Sequence, residues 1–348
     1  MNQSLILLKP SYRFEPISSL SALGKALGFE AELLNDVAGR ANGMYRKVKP
    51  KPGSTRETFD AKGVLKEIHK RIKLKILVHV YFPEYLHGSV RGRDYFTNAD
   101  LHKNKQLVHC EDVKKFFPSI LAEKVFDIWR IFFGFAGPVA TVLTLLTTKD
   151  GALPQGAMTS SYLANLAFWR MEPLLHAKLA AQGVTYSRYV DDMAMSSTSH
   201  MNKAQQAKIT AQVYGMVRSE GMSVGRTKHE VYSASQPMVV TKLIVNRKPS
   251  LTKKKRSAIR AQVFQFEQLV GSAVPARDAF SRADKASQSV GQLGRFHRTK
   301  GNALRTRVRA ARLILQSAGE PTLLTCATQR PFVEKRDVSS DDRVLPWE

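Results

Sequence analysis

The stretch that decides the fold carries two adjacent acids between two β-rich runs, and it reads Thr185-Tyr186-Ser187-Arg188-Tyr189-Val190-Asp191-Asp192-Met193-Ala194-Met195-Ser196-Ser197. β-branched and aromatic residues precede the acids, and methionines alternate with small residues after them. This pattern predicts two strands joined by a tight turn with the acids at its tip. Aspartate tolerates turn geometry, so an acidic hairpin tip is also common without a function. The pair indicates catalysis only if other parts of one site occur elsewhere.

A third acid, Asp112, ends another β-rich run and is followed by Phe116, Phe117 and a proline. Polymerising nucleotides needs two divalent ions about 4 Å apart, one on the attacking oxygen and one on the leaving oxygen. Carboxylates from adjacent strands must hold such ions. The ions in turn offset the repulsion between acids that the fold brings together. Asp112 and Asp191 are the natural pair. Asp192 points differently across the turn and is expected to be a weaker or outer ligand.

The composition favours a nucleic-acid partner. The chain has 348 residues, 43% of them hydrophobic, so it can bury a full core and form two or three subdomains. Its formal net charge is +25, and a globular protein this basic usually binds a polyanion. A solubilising surface is the alternative, although acids serve that purpose equally well. A membrane surface is disfavoured, because no basic amphipathic helix with an aromatic face stands out.

Cysteine usage and hydropathy indicate a cytoplasmic protein. Cys110 and Cys326 are the two cysteines, and they form neither a metal-spaced set nor a disulfide framework. The first ten residues lack the basic region and long apolar run of a signal peptide. The longest apolar stretch, residues 131–148, contains two glycines and a proline, so we expect a buried helix pair and no membrane span.

Two further segments carry basic or glycine-containing motifs. Lysines alternate before a Pro-Gly turn that leads to Arg56, which predicts a basic hairpin. Such a hairpin is either a solvated edge strand or a clamp on a triphosphate. The run Leu153-Pro154-Gln155-Gly156 feeds a helix that Thr159 or Ser160 can cap and that Pro173 should kink. Gly156 is either a plain turn residue or lets the backbone lie flat against a base pair.

The segment 247–315 is strongly basic, with 17 Lys and Arg against three acids. Its apolar spacing predicts helices. A solvated face would normally mix both signs of charge, so this face favours contact with backbone phosphates. Residues 316–348 contain prolines and mixed polarity, and we expect a loosely packed tail.

Taken in order, these motifs resemble those of reverse transcriptases, and several resemble bacterial ones. Phe116-Phe117-Pro118-Ser119-Ile120 and Leu153-Pro154-Gln155-Gly156-Ala157 are similar to bacterial sequences, and Asn98-Ala99-x-x-His102 is similar to a stretch typical of retron reverse transcriptases. The resemblance implies an α+β right-hand polymerase fold. Its parts would be an N-terminal helical segment over 1–44, fingers and a palm with an antiparallel sheet over 45–246, a helical thumb over 247–315 and a tail over 316–348.

The resemblance also implies roles for individual residues. Asp112, Asp191 and Asp192 would bind two Mg²⁺ ions, with Mn²⁺ as an alternative, and Phe117 would exclude a ribose 2′-hydroxyl. Gln155 and Gly156 would line the dNTP site, and Arg56 with Lys49 or Lys51 would neutralise the triphosphate. Lys228 would protonate leaving pyrophosphate, its alternative being a surface lysine. The expected nucleic-acid contacts are Arg93, Asn98, His102, Asn246, Lys253, Lys254, Lys255, Arg295 and Arg298.

The function implied is RNA-directed DNA synthesis on a cognate noncoding RNA, giving RNA-linked single-stranded DNA for defence against phage with an effector protein. Three departures from the family pattern are visible: Val190 where alanine is usual, Met158 and Ser161 where prolines are common, and Lys242 where retrons carry glycine after Val-Thr. The alternatives are another defence-associated reverse transcriptase and an inactive RNA-binding protein. The three acids and Phe117 argue against the inactive protein.

Overall fold

The computed structural model describes residues 9–50, 56–225, 229–272 and 276–318. It forms two compact units, Met1–Lys255 and Arg256–Glu348. Among the residues predicted from the sequence, Lys51, Lys228 and positions 319–348 of the tail lie outside this description.

Helices and strands alternate irregularly along the first unit, as in an α+β protein. The helices are α1 (Leu20–Leu27), α2 (Ala31–Arg40), α3 (Gly63–Lys75), α4 (Tyr95–Asp100), α5 (Phe116–Ser119), α6 (Ala122–Asp127), α7 (Gly137–Thr147), α8 (Ser160–Asn165), α9 (Glu172–Ala180), α10 (Lys203–Ser219), α11 (Lys253–Val270), α12 (Ala276–Phe296) and α13 (Arg298–Ala318). The strands are β1 (Ser11–Tyr12), β2 (Tyr45–Val48), β3 (Thr58–Ala61), β4 (Val80–Tyr81), β5 (Leu107–Asp112), β6 (Val184–Tyr189), β7 (Asp192–Ser197), β8 (Glu230–Ser233), β9 (Val239–Val240), β10 (Leu243–Ile244) and β11 (Ser250–Leu251).

A four-stranded antiparallel sheet organises the first unit, with the strand order β6-β7-β5-β8. Strands β6 and β7 form the predicted hairpin, and a loop of only two residues joins them. Strand β5 pairs with β7 although about 80 residues separate them in sequence. The register runs from Leu107 opposite Ser197 to Asp112 opposite Asp192. The sheet therefore brings the end of β5 to the tip of the hairpin.

Apolar side chains on one face of the sheet join those of the surrounding helices in one continuous core. It includes Trp129, whose ring stacks on Phe133 at 4.8 Å between centroids, and the buried β-sheet residues Tyr186, Met193 and Met195. Helix α10 has a local signal at each end: Asn202 forms a capping box with Gln205 at its start, and Gly221 adopts a left-handed φ of 77° just after its end.

The helix predicted after Gly156 is interrupted, and this corrects the expectation of one kinked helix. Helix α8 ends at Asn165, a turn follows, and α9 begins anew at Glu172 with Pro173 in its first turn. Proline suits the first turn of a helix because the amide hydrogens there have no intrahelical acceptor. Thr159 precedes α8 but its side chain does not cap the helix, which also differs from the prediction.

The second unit consists of α11 after Lys255 and of the antiparallel pair α12 and α13. Small residues allow the pair to approach closely: a Cβ on Gly301 would lie 2.3 Å from the Cα of Gly294. Ala279, Ala283 and Ala286 are buried on α12 at helical spacing. No helix within the described residues is long and apolar enough to cross a membrane.

Candidate active site

Three carboxylates meet where β5 ends and the hairpin turns. Asp112 and Asp192 lie directly opposite each other in the sheet, and Asp191 occupies the two-residue turn. One oxygen from each of the three carboxylates lies within 4.8 Å of the others. The backbone N–H of Val113 donates to the carbonyl of Asp191 at 3.1 Å, which fixes the turn against the end of β5.

The donor set of this cluster fits a divalent cation. Carboxylate oxygens are the hard ligands that Mg²⁺ and Mn²⁺ prefer, and three negative charges this close repel one another unless a cation offsets them. Asp112 is 8% exposed, whereas Asp192 is exposed, so the cluster opens to solvent on one side. Among the described residues, no other group of three histidine, cysteine or acidic side chains converges in this way.

The chain that follows α10 closes the other flank of Asp112. Gly225 donates its N–H to the carbonyl of Asp112 at 2.7 Å, and a Cβ at this glycine would lie 3.3 Å from an Asp112 carboxylate oxygen. Lys228, the predicted proton donor, follows three residues later in sequence but lies outside the described residues.

Glu111 lies on the opposite face of β5 from Asp112, as strand alternation requires, and is buried. The Nδ1 of His229 donates to its carboxylate at 2.6 Å, and the hydroxyl of Tyr214 donates at 3.2 Å. Burial raises the pKa of Glu111 in spite of these donors. Glu111 is thus a structural partner of His229 and of Tyr214 on α10, and it is not a fourth member of the cluster.

The two aromatic residues after Asp112 have different surroundings. Phe116 is buried and stacks on Phe168 with 5.8 Å between ring centroids. Phe117 is half-buried and follows Lys115, whose left-handed φ of 48° starts the short helix α5. Phe117 packs against the margin of the core, with its ring 5.9 Å from that of Phe116. The structure leaves its predicted role as a gate untested.

The Gln155–Gly156 loop contacts the β2–β3 hairpin. The N–H of Phe59 on β3 donates to the carbonyl of Gln155 at 2.7 Å, and a Cβ on Gly156 would lie 2.9 Å from the Phe59 carbonyl. Gly156 also has a φ of 103°, which only glycine adopts readily. Lys49, after β2, and Arg56, before β3, are both exposed on this hairpin. Lys51 lies outside the described residues.

Two predicted nucleic-acid contacts, Asn98 and His102, are wrong, because both side chains are buried. His102 hydrogen-bonds Ser187 on β6 and Ser196 on β7, each at 2.7 Å, and Ser187 donates to Asn98 at 2.8 Å. Burial lowers the pKa of His102 to about 3, so its imidazole is neutral. These residues stabilise the β6–β7 hairpin through hydrogen bonds to its buried serines, and their burial keeps them out of reach of nucleic acid.

Arg93 and Asn246 are partly exposed and hydrogen-bond backbone groups, and their predicted nucleic-acid contacts stay predictions. The Arg93 guanidinium donates to the carbonyls of Phe82, Pro83 and Leu86 and so ties one loop together. The Asn246 amide accepts from the N–H of Met238 at 2.9 Å and donates to the carbonyls of residues 234 and 236.

The remaining predicted contacts are exposed basic residues and stay predictions. They lie at the start of α11, at the end of α12 and at the first position of α13, and they are Lys253, Lys254, Lys255, Arg295 and Arg298.

Sequence reasoning missed a buried ion pair beside the acids. Arg188, on β6, is fully buried and donates through Nε and a terminal nitrogen to both oxygens of Glu172, at 2.6 and 2.8 Å. The signal available in the sequence was a single arginine, Arg188, inside a predicted strand of otherwise uncharged residues. Charged residues are almost never fully buried unless they are paired, so that arginine called for an acidic partner.

Comparisons with known proteins agree with this geometry. The family model for reverse transcriptase (RNA-dependent DNA polymerase) matches residues 47–257. The chain is 32% identical over 304 residues to the Retron Se72 reverse transcriptase of Salmonella heidelberg, covering 85% of this chain and 80% of that protein. It is 26% identical over 351 residues to the Retron Ec48 reverse transcriptase of Escherichia coli, covering 95% and 80%. The Retron Ec86 reverse transcriptase of Escherichia coli is 25% identical, covering 71% and 78%.

Proposed function

The chain belongs to the reverse transcriptase family as an RNA-directed DNA polymerase of the retron type, and from this premise we propose that it copies a cognate structured RNA into DNA with two Mg²⁺ ions held by Asp112, Asp191 and Asp192. The observation that carries the proposal is the convergence of these three carboxylates within 4.8 Å, where β5 ends and the β6–β7 hairpin turns. Mn²⁺ satisfies the same oxygen ligands and is the expected substitute.

The protein's own part in the reaction is to position the reactants. When bound, the two ions lower the pKa of the primer 3′-hydroxyl and neutralise the leaving pyrophosphate. Asp112 and Asp191 fix where these charges lie, and Asp192 completes the set from the solvent side. Arg56 with Lys49 or Lys51 offsets the triphosphate charge, and Lys228 donates a proton to pyrophosphate.

The proposed architecture follows the right-hand plan. The sheet with the acids serves as palm and the β2–β3 hairpin as part of the fingers, together 45–246 after the N-terminal segment 1–44. The basic helices of 247–315 serve as thumb, with 316–348 as a tail. The hydrogen bond from Phe59 to Gln155 supports this assignment, because it joins the hairpin to the expected nucleotide site. Exposed lysines and arginines of the thumb would contact the phosphates of the template–product duplex.

The finer biological role is part of the proposal as well. Retrons serve in defence against phage, so we expect an effector protein as partner and a cytoplasmic location. Burial raises the pKa of the free Cys110 thiol to about 12, and a protonated thiol of this kind resists oxidation. Plating phage on cells that carry the gene with its flanking DNA, with and without an active polymerase, tests the defence role.

The test of the proposed chemistry is primer extension by Asp191→Asn on an RNA template. This change removes one carboxylate charge and keeps the side-chain volume, so we expect activity to fall more than about a hundredfold, beyond the usual cost of changing an outer-sphere group. RNA affinity should stay as in the unaltered protein. Asp36→Asn, at an exposed acid that pairs with Arg40, is the matched control and should leave activity unchanged. Normal extension by Asp191→Asn would refute the assignment.

A further inference from the structure

The Arg188 guanidinium contacts several elements of the site at once. Besides its two bonds to Glu172, it donates to the carbonyl of Val190 at 2.9 Å and to the carbonyl of Asn165 at 3.0 Å. Every one of these acceptors lies on a different segment: the catalytic turn, the end of α8 and the start of α9. Only the planar fork of an arginine can reach such a set of acceptors simultaneously.

The turn that Arg188 holds is strained. Val190 has a φ of 61°, and a β-branched residue with positive φ is a true outlier. Such a conformation persists only where surrounding contacts over-determine it. Arg188 supplies one contact through the Val190 carbonyl, and Gly88 presses from the other side, since a Cβ at Gly88 would lie 2.5 Å from the Val190 nitrogen. Asn165 connects the two by donating to the Gly88 carbonyl at 2.6 Å.

The same guanidinium touches the segment that follows Asp112. Its central carbon lies 5.8 Å from the centre of the Phe116 ring and 5.3 Å from that of Phe168, in cation–π geometry. Phe116 is the neighbour of Phe117, the proposed gate. Arg188 thus joins the turn that carries Asp191 to the segment that carries Asp112 and Phe117.

We propose that Arg188, oriented by Glu172, is a positioning residue that sets the Asp191 turn relative to Asp112 in the form that binds metal. The inference rests on the proposed metal-dependent function. A buried ion pair adds little net stability, since desolvation offsets most of its Coulombic gain. Stability alone therefore does not account for a fully buried arginine here. Placement of the strained turn does account for it, because the fork bonds the carbonyl directly before Asp191.

Arg188→Lys is the decisive variant, because it keeps the charge and removes the fork. We expect the Mg²⁺ concentration for half-maximal primer extension to rise about 10- to 100-fold, the usual cost of losing an outer-sphere partner of a metal site. Hydrogen–deuterium exchange of a peptide covering residues 186–193, measured without metal or substrate, should quicken in the same variant. Binding of the RNA template should remain unchanged.

Tyr186→Phe is the matched control. Tyr186 donates to the same Glu172 carboxylate at 2.7 Å, so this change disturbs the network but leaves the bonds from Arg188 to the turn. It should leave the Mg²⁺ requirement unchanged. The triple variant Arg188→Met, Glu172→Leu and Tyr186→Phe replaces the network with apolar residues. Its unfolding temperature should equal that of the unaltered protein, whereas its Mg²⁺ requirement should stay raised.

Two results would overturn the inference. One is an unaltered Mg²⁺ requirement in folded Arg188→Lys, and the other is a Mg²⁺ requirement in the apolar triple variant equal to that of the unaltered protein. Asp191→Asn in the same assay separates this failure from failure of the proposed function. If Asp191→Asn is inactive while Arg188→Lys behaves as the unaltered protein, only the role of Arg188 is refuted. If Asp191→Asn extends primers, the metal site itself is refuted.

Discussion

At the scale of single residues, the site separates side chains that face solvent from those that face the core. Phe116 and Phe117 are adjacent, yet Phe116 is buried and stacks on Phe168, whereas Phe117 is only half-buried. Asn98 and His102 form a motif typical of retron enzymes, and the structure assigns them to bracing the hairpin. Residue type alone therefore does not tell whether a polar group meets substrate or supports the groups that do.

Phe117→Ala tests the gate. Removing the ring should admit the 2′-hydroxyl and raise ribonucleotide use relative to dNTP use by about 10- to 100-fold, in line with the discrimination that steric pockets achieve. The measurement is kcat/KM for one dNTP and for the matching ribonucleotide. Phe14→Ala, which removes an exposed ring, is the control. Equal discrimination before and after Phe117→Ala would remove its role as gate.

At the scale of elements, two short hairpins hold strained turns, and in each the strain falls on a departure from the family pattern. The β6–β7 turn contains Val190 with a φ of 61°. The β9–β10 turn consists of Thr241 and Lys242, with φ values of 45° and 67°. Two positive φ values in a two-residue loop fit a type I′ turn, which favours glycine. The geometry of the turn thus explains why glycine suits position 242, independently of any contact with RNA.

Lys242→Gly separates backbone strain from charge in this turn. Glycine adopts positive φ without a steric penalty, so the free energy of unfolding should rise by up to about 1 kcal/mol. Lys242→Ala removes the same charge but keeps a Cβ, so it should give no such gain. A loss of RNA affinity common to both variants would measure the contribution of the lysine charge. Chemical denaturation provides the stability, and a gain equal in both variants would contradict the turn argument.

At the scale of the whole molecule, a chain of net charge +25 keeps several histidines neutral inside its first unit. Burial lowers the pKa of His102 to about 3 and that of His87 to about 4. Both values lie well below the 6.5 of an unfolded histidine. The unfolded chain therefore binds protons that the folded protein excludes, and this difference makes stability depend on pH.

Stability should fall as pH drops from about 6.5 toward 4. Each neutral histidine whose pKa is lowered costs about 1.4 kcal/mol per pH unit over this range, because the unfolded state gains the proton. His102→Gln removes one such group and should flatten the pH slope of the unfolding free energy, while His200→Gln, at an exposed position, should not. The measurement is urea denaturation at several pH values. An unchanged slope in His102→Gln would mean that the imidazole is charged in the folded protein.

The sequence by itself determined the parts that depend on local pattern and order. Alternation around Tyr189 and Asp192 predicted the hairpin, and the order of motifs around Asp112 and Phe117 predicted the polymerase class. Asn202 and Gly221 are local cap residues of α10. These features follow from neighbouring residues, since turn chemistry, caps and strand periodicity act over a few positions.

Only the tertiary structure decided which polar groups are buried and what pairs with them. His102 lies under the hairpin because β6 and β7 present Ser187 and Ser196 to it. Arg188 meets Glu172 because the start of α9 packs on β6. The physical reason is that burial and pairing arise between segments far apart in the chain, where strand register and packing, which no local pattern encodes, bring two side chains into contact.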